Sequence, residues 1–289
     1  MTTLLYFLSF IVGLMPNFVI SLGAHCLRWT LFGLFGYREK VIQENLHTAF
    51  PEMEDANRAK LTKEIQLHLC LSIFEFLKIP HYAKRNFEGM LRVEGWEYFE
   101  AAKAKEKGLL VVTGHLGSFE LTAGAMGQRI QDNIHIIVKS FPEGVDRFVT
   151  GVRTGTNLKL LPAKGAVKSV LEALDKQEIV VFVQDQNSTR KIGVFVDFFG
   201  REACTMSGLA MMALRTEVPV IGVSIHREKV GHHVLTFHPE IPLEHKDNPE
   251  ESVIHMTQIY THFLEERIRE NPAQWFWTHR RWKTQRTEN

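Results

Sequence analysis

The chain has 289 residues, with 34 Lys and Arg against 33 Asp and Glu, so a net charge of +1 offers no overall field for nucleic acid or another polyanion. Its length is enough to bury a full core. The three cysteines, Cys26, Cys70 and Cys204, are far apart and form no CxxC pair, which argues against a disulfide framework and a zinc ribbon.

The first informative segment is the N-terminus. Leu4 to Phe35 is almost wholly apolar, and Arg28 is the only Lys, Arg, Asp or Glu in the first 37 residues. About 20 apolar residues cross a bilayer core, so the stretch is long enough. Pro16-Asn17 interrupts it, which predicts either a kinked span or two shorter helices lying in the interface. The segment lacks the basic start and small-residue cleavage site of a signal peptide. We therefore expect residues 1–36 to be a retained membrane anchor and residues 37–289 to form one folded domain.

Tyr37 to about Ala83 is amphipathic at helical spacing. Ile42, Leu46 and Phe50 form one run and Leu61, Ile65, Leu69, Ile73 and Phe76 another, with Pro51 between them. From about Leu91 the texture changes to short apolar runs separated by helical stretches. Strands are expected at Leu109–Thr113, Ile134–Val138, Leu158–Leu161, Ile179–Val183, Val218–Ser224 and, more weakly, Val234–Phe237. Helices are expected at Ala166–Lys176, Ser207–Thr216 and Glu251–Glu270. The alternation predicts an α/β fold with a mixed, largely parallel sheet flanked by helices. Val180-Val181-Phe182-Val183 suits a strand covered on both faces.

Thr113-Gly-His-Leu-Gly-Ser-Phe-Glu120 is the sharpest local signal. It leaves a strand and opens a helix. On one continuous helix His115 and Glu120 would diverge, but across a strand–turn–helix the carboxylate can fold back on the imidazole. Glu120 would then fix the tautomer of a general base at His115. Gly114 and Gly117 permit close backbone approach, and the amides at the helix start can meet an oxyanion. Ser118 is not framed by a nucleophile elbow. His226, His232 and His233 fit no metal-ligand spacing. Trp275–Lys283 mixes three Trp with Arg280, Arg281 and Lys283, a pattern for a membrane surface or a substrate phosphate rather than for nucleic acid.

His-x4-Glu after an apolar strand resembles the His-x4-Asp/Glu signature of glycerolipid acyltransferases. Six blocks in chain order resemble one branch of these, the late acyltransferases of lipid A biosynthesis. They are Arg38-x-x-Val-x-x-x-Asn-Leu-x-x-Ala-Phe-Pro51, Gly114–Glu120, Asp185-Gln186, Phe198-Phe-Gly-Arg-x-Ala-x-Thr205 with Gly208, Val218-Pro-Val220, and Trp277-x-His-Arg-Arg-Trp-Lys283.

The resemblance implies an acyl-carrier-protein donor, a lipid A precursor as acceptor and the cytoplasmic side of a bacterial inner membrane, with neither cofactor nor metal. A thioester is already activated, so the chemistry needs a base for the hydroxyl and no covalent enzyme intermediate. Another glycolipid or aminolipid acceptor, or thioester hydrolysis, would use the same core. The resemblance places Arg153 and Asp185 near His115 and Glu120 as catalytic groups. It makes Arg201 a phosphate ligand, the guanidinium fork matching phosphate oxygens. Thr205 is either a substrate contact or a helix N-cap, and Gly117, Ser118, Arg280 and Arg281 complete the expected substrate contacts. Phe141-Pro-Glu-Gly144 looks like the start of a phosphate block but lies too near His115, and is read as a turn.

Overall fold

The computed structural model of the chain describes residues 1–139 and 141–286, so position 140 and the last three positions of the expected domain lie outside the described residues. Two apolar helices begin the chain, α1 (Thr2–Leu14) and α2 (Asn17–Arg28), the second running into a π-helical turn, Trp29–Leu34. Pro16 separates them: Met15 before it is extended, as a residue preceding proline prefers. The amphipathic segment forms α3 (Glu39–Ala49) and the long α4 (Asp55–Ala83), divided at Pro51. Helices α1 and α2 both pack along α4. Among the described residues no single helix is long and apolar enough to cross a membrane. Asn17–Leu34 and α3 reach that length and composition only as a pair bent by 93°.

The remainder alternates strands and helices. In chain order these are β1 (Leu91–Glu94), α5 (Trp96–Lys103), β2 (Leu109–Thr113), α6 (Phe119–Arg129), β3 (Ile134–Val138), α7 (Glu143–Thr154) and β4 (Leu158–Pro162). There follow α8 (Ala166–Asp175), β5 (Ile179–Val183), β6 (Gly193–Phe198), β7 (Arg201–Met206), α9 (Gly208–Thr216), β8 (Val220–Lys229), β9 (His232–Glu240) and α10 (Pro249–Glu270). Seven strands form one sheet in the order β1-β9-β8-β2-β5-β3-β4. Every pair in it is parallel except β8 with β9. Strands β6 and β7 make a separate hairpin.

Continuous apolarity in β2 and β5 serves two faces. Leu110, Val112, Val180 and Phe182 join Leu209, Met256 and Tyr260 in one core, while Leu109, Val111, Ile179 and Val181 join Phe99, Met126 and Ile134 in another. Helix α7 starts at Glu143, so the Phe141–Gly144 segment read as a turn is half turn and half first helical turn. Its Pro142 supplies the extended N-cap.

Candidate active site

Strands β2 and β5 are neighbours and end level, with Thr113 opposite Val183. Residues leaving their carboxyl ends therefore meet, at the edge where open α/β sheets build sites. His115 follows β2 and Asp185 follows β5. Asp185 Oδ1 lies 2.8 Å from His115 Nδ1, and Oδ2 accepts the His115 amide at 2.9 Å and Trp275 Nε1 at 2.6 Å. A carboxylate so placed can only accept, so Nδ1 carries the proton and Nε2 is the acceptor. The Gln186 amide donates to that Nε2 across 3.1 Å. Phe119 stacks edge-on against the imidazole and Phe276 tilts over it.

Burial would push the Asp185 carboxyl up, but the adjacent His115 charge and three donated hydrogen bonds hold it down at about 2. For His115, burial works against the charged form, yet the Asp185 charge and hydrogen bond win and raise its pKa above the ordinary imidazole value. Glu120 adds to the rise and Arg153 opposes it.

Glu120 does not fold onto the imidazole as expected. Its carboxylate is held in a fork by Arg153, from Nε at 3.0 Å and Nη2 at 2.5 Å. The reason is placement: Asp185 reaches Nδ1 from the next strand, whereas Glu120 in the first turn of α6 faces α7, where Arg153 sits. Asp185 is thus the group that orients His115, and Glu120 acts on it through charge.

The turn itself is built around Gly117. Its φ is +52°, and a Cβ there would lie 2.4 Å from the Ile225 carbonyl oxygen. At Gly114 a Cβ would crowd the Asp185 carboxylate at 3.2 Å. The Gly117 amide is already used by the Gln274 carbonyl at 2.8 Å. The first bond of α6 runs from Thr122 N to Ser118 O, so the amides of Phe119 and Glu120 precede the helical ladder and remain as donors.

His115 stands where two cavities meet. One, about 630 Å³, runs between α1, the π-helical turn, α4 and α7 and is walled by Leu5, Leu8, Phe32, Ile73, Phe76 and Phe148, with Gly117 and Ser118 at its inner end. The other, about 500 Å³, lies between α6 and the sheet face of Val111, Ile136 and Val181. Ala123 and Met126 cover it, Arg153 borders it, and its outer end is polar, at Lys139, Asn187 and Thr189. His115, Phe119, Glu120, Phe141 and Phe276 border both cavities.

A profile of bacterial lipid A biosynthesis acyltransferases matches residues 1–284 of this chain. The chain belongs to that family. It is 27% identical over 252 residues to a lipid A biosynthesis lauroyltransferase of Escherichia coli K12, covering 86% of this chain and 79% of that protein. It is 24% identical, with the same coverage, to a lipid A biosynthesis palmitoleoyltransferase of the same strain. A crystal structure of the 1-acyl-sn-glycerophosphate acyltransferase PlsC from Thermotoga maritima aligns with 89% of this chain and 98% of that chain, at 17% identity and a TM-score of 0.42.

As an acyltransferase of this family, the chain brings His115, Asp185, Glu120 and Arg153 together, with Gly117 and Ser118 beside them. The other expected contacts lie elsewhere. Phe198-Phe-Gly-Arg201 is the tight turn of the β6–β7 hairpin, with φ of 60° at Phe199 and 74° at Gly200, the pattern of a type I′ turn. Arg201 is exposed beside Thr48 of α3 and lines neither cavity. Thr205 is neither a substrate contact nor an N-cap: it is wholly buried and bonded to Arg281, and the N-cap position of α9 is Ser207, whose hydroxyl donates to the Ile192 carbonyl rather than accepting a helix amide.

Arg281, expected on substrate phosphate, is itself fully buried and donates to the Cys204 carbonyl at 2.9 Å. Trp275, Trp277 and Trp282 are core residues, not surface anchors, and only Arg280 and Lys283 of that segment's cations are exposed. The tail is held by Asn45, whose amide donates to the Trp277 and His279 carbonyls at 2.7 Å each, and by Arg38 on the Thr278 carbonyl. Burial keeps His279 neutral, its pKa down at about 4, and its Nε2 accepts the Asn187 amide. Sequence reasoning missed Gln186, Trp275 and Phe276 as neighbours of the imidazole. Gln186 was legible within the Asp185-Gln186 block and Trp275 within the Trp275–Lys283 segment, but nothing local says what they face.

Proposed function

We propose that the chain transfers a fatty acyl group from an acyl-carrier-protein thioester to a hydroxyl of a lipid A precursor, with His115 as general base. The observation that carries this reading is a carboxylate-oriented imidazole at the meeting point of two apolar cavities. One cavity takes the acyl chain of the donor and the other a hydrocarbon chain of the acceptor, so that the thioester carbonyl and the hydroxyl meet at Nε2. The cavity under α6 suits the donor: its inner end is apolar and its outer end is polar enough for the arm that carries the thioester. The cavity beneath α1 and α4 suits the lipid acceptor.

The hydroxyl displaces the Gln186 amide from Nε2, gives its proton to His115 as it attacks, and forms a C–O bond to the thioester carbonyl carbon. The tetrahedral oxyanion is met by the Phe119 and Glu120 amides at the start of α6 and by the nearby Arg153 charge. Collapse breaks the C–S bond, and the imidazolium returns its proton to the departing thiolate. Asp185 stabilises the imidazolium and keeps Nδ1 protonated. Glu120 holds Arg153 in place, leaving Arg153 net-compensated until the oxyanion appears.

The surface outside the acceptor cavity fits a membrane. Phe7, Phe10, Phe18, Leu22, Trp29 and Phe35, on α1, α2, the π-helical turn and the residue after it, are all more than half exposed, as expected of a surface that meets lipid rather than water. We read residues 1–36 as lying in the bilayer interface, with the cavity beneath them open to lipid, on the cytoplasmic side of the inner membrane. Incubation of the purified enzyme with acyl-carrier thioester and a lipid A precursor should give an acceptor heavier by one acyl chain in mass spectrometry. Free fatty acid with no acylated acceptor would replace this reading by thioester hydrolysis. Modification of a different lipid in a membrane extract would replace the acceptor.

A further inference from the structure

A third cavity, of about 400 Å³, opens at the break between α1 and α2. Its lining carries Lys78 and His81 from the end of α4, Arg85 from the turn after it, Gly231 from the β8–β9 turn and His232 from the start of β9, and holds no Asp or Glu. Lys78 is only 5% exposed. Its ammonium donates to the Met15 carbonyl at 2.6 Å, at the C-terminal end of α1, and lies 5.3 Å over the Tyr82 ring. An ammonium has three donors, so two remain for the cavity. The acid nearest in sequence, Glu75, is engaged by Arg227 in a buried bidentate pair. Arg85 makes no salt bridge among the described residues.

Two features make this more than a helix cap. Lys78 and Arg85 bring two cations to a concavity of a size that takes small ligands, beside the His81 ring, and its lining reaches the exposed apolar surface at Leu14, 62% exposed, close along the chain to Phe18, 74% exposed. Asn17 ties the rim to the β8–β9 turn by donating to the Val230 carbonyl at 3.1 Å. An anion bound here would sit at headgroup depth while its hydrocarbon lay against α1 and α2. A flat acidic protein surface could not reach the buried Lys78.

We propose that the Lys78–His81–Arg85 cavity binds the phosphate of an anionic membrane lipid, at a site separate from the cavities that meet at His115. The proposal rests on the reading of the N-terminal surface as membrane-facing, and the test separates the two. Binding of the full-length protein is measured to phosphatidylcholine vesicles containing phosphatidylglycerol, and to vesicles given the same surface charge with oleate. Wild type should prefer the phosphatidylglycerol vesicles. Arg85→Glu should weaken that binding about tenfold or more, since each basic residue at an anionic surface contributes about 1 kcal/mol. Lys78→Met should abolish the preference. Lys168→Glu, an exposed reversal on α8, should change binding less than about twofold, and His115→Ala should leave it intact.

Equal losses in Arg85→Glu and Lys168→Glu, or equal binding to oleate vesicles, would reduce the effect to general surface attraction and overturn the site. Binding of inorganic phosphate by wild type in the absence of vesicles, with no preference for phosphatidylglycerol over oleate vesicles, would mean a free-anion site instead. Loss of carrier-protein affinity in Arg85→Glu with vesicle binding unchanged would make the patch a protein contact. No vesicle binding by wild type would remove the membrane reading itself.

Discussion

At the scale of single residues, the site is one imidazole whose two nitrogens have been given different jobs. Replacing His115 by Ala removes the proposed base while deleting little packing. Transfer should fall about 10²- to 10⁴-fold with the circular dichroism spectrum retained, while the melting temperature drops because the buried Asp185 carboxylate loses its imidazole partner. A base must be neutral to work, and His115 titrates above the ordinary imidazole value. The acid limb of the kcat/KM profile should therefore lie above pH 6.5, the unperturbed value. The flanking pair then moves it in opposite directions: Glu120→Gln removes a negative charge and shifts the limb down, and Arg153→Met removes a positive charge and shifts it up. A profile that fails to move in opposite senses would deny both side chains their electrostatic role.

The same pKa values set how the pair contributes to stability. Asp185 falls from 3.8 to about 2 on folding, so its contribution is complete above pH 3.8 and is lost as the pH drops toward 2. His115 is raised, so its share is complete below 6.5 and fades as the pH climbs past its folded value. Between the two limits the ion pair is intact.

At the scale of elements, what was legible in the sequence follows how strongly each element declares its own environment. Strands β2, β3 and β5 are predominantly apolar runs, and their observed limits coincide with the expected ones. Strand β1, Leu-Arg-Val-Glu, has two charged residues in four and lies at the sheet edge, so only its pairing with β9 defines it. The β6–β7 hairpin was hidden because its turn, Phe-Phe-Gly-Arg, places a Phe at positive φ, which a reader of turns does not expect. Phe199 tolerates this because its ring packs on Phe50 and stacks under Arg269.

The His115–Asp185 contact joins residues 70 apart, and only the side-by-side placement of β2 and β5 brings them together. No periodicity reports that. The tail was misread for a related reason: three Trp among basic residues match a membrane belt by composition, while burial depends on Asn45 and Arg38 in α3 and its N-terminal flank. Asn45→Ala strips the donors from two carbonyls at once and should lower stability by about 1–3 kcal/mol, measurable as a lower denaturant midpoint. Arg280→Ala, on the exposed side of the same segment, should be neutral in that measurement.

At the scale of the whole molecule, the order of parts along the chain was readable: an apolar start, two helices, then an α/β sheet. The cavities were not, because a cavity is the space left between elements and no local pattern encodes it. Ala123, in the roof of the cavity under α6, offers a test of the assignment of that cavity to the donor chain. Ala123→Phe should shorten the preferred acyl chain by several carbons in competition between donor lengths, with kcat for the shorter donor retained. An unchanged length profile would move the donor chain to the other cavity.

The two cavities touch only around His115, Phe119, Glu120, Phe141 and Phe276, and this has a kinetic corollary. On the proposed placement of the two chains, the tails in both cavities belong to one branched molecule once the ester bond exists. On that placement, one tail must pass back between Phe119, Phe141 and Phe276 before the product leaves. Egress should then be slower than bond formation, giving a burst of roughly one equivalent of acylated lipid before the steady rate, and a larger side chain at Phe276 should slow the steady rate without shrinking the burst.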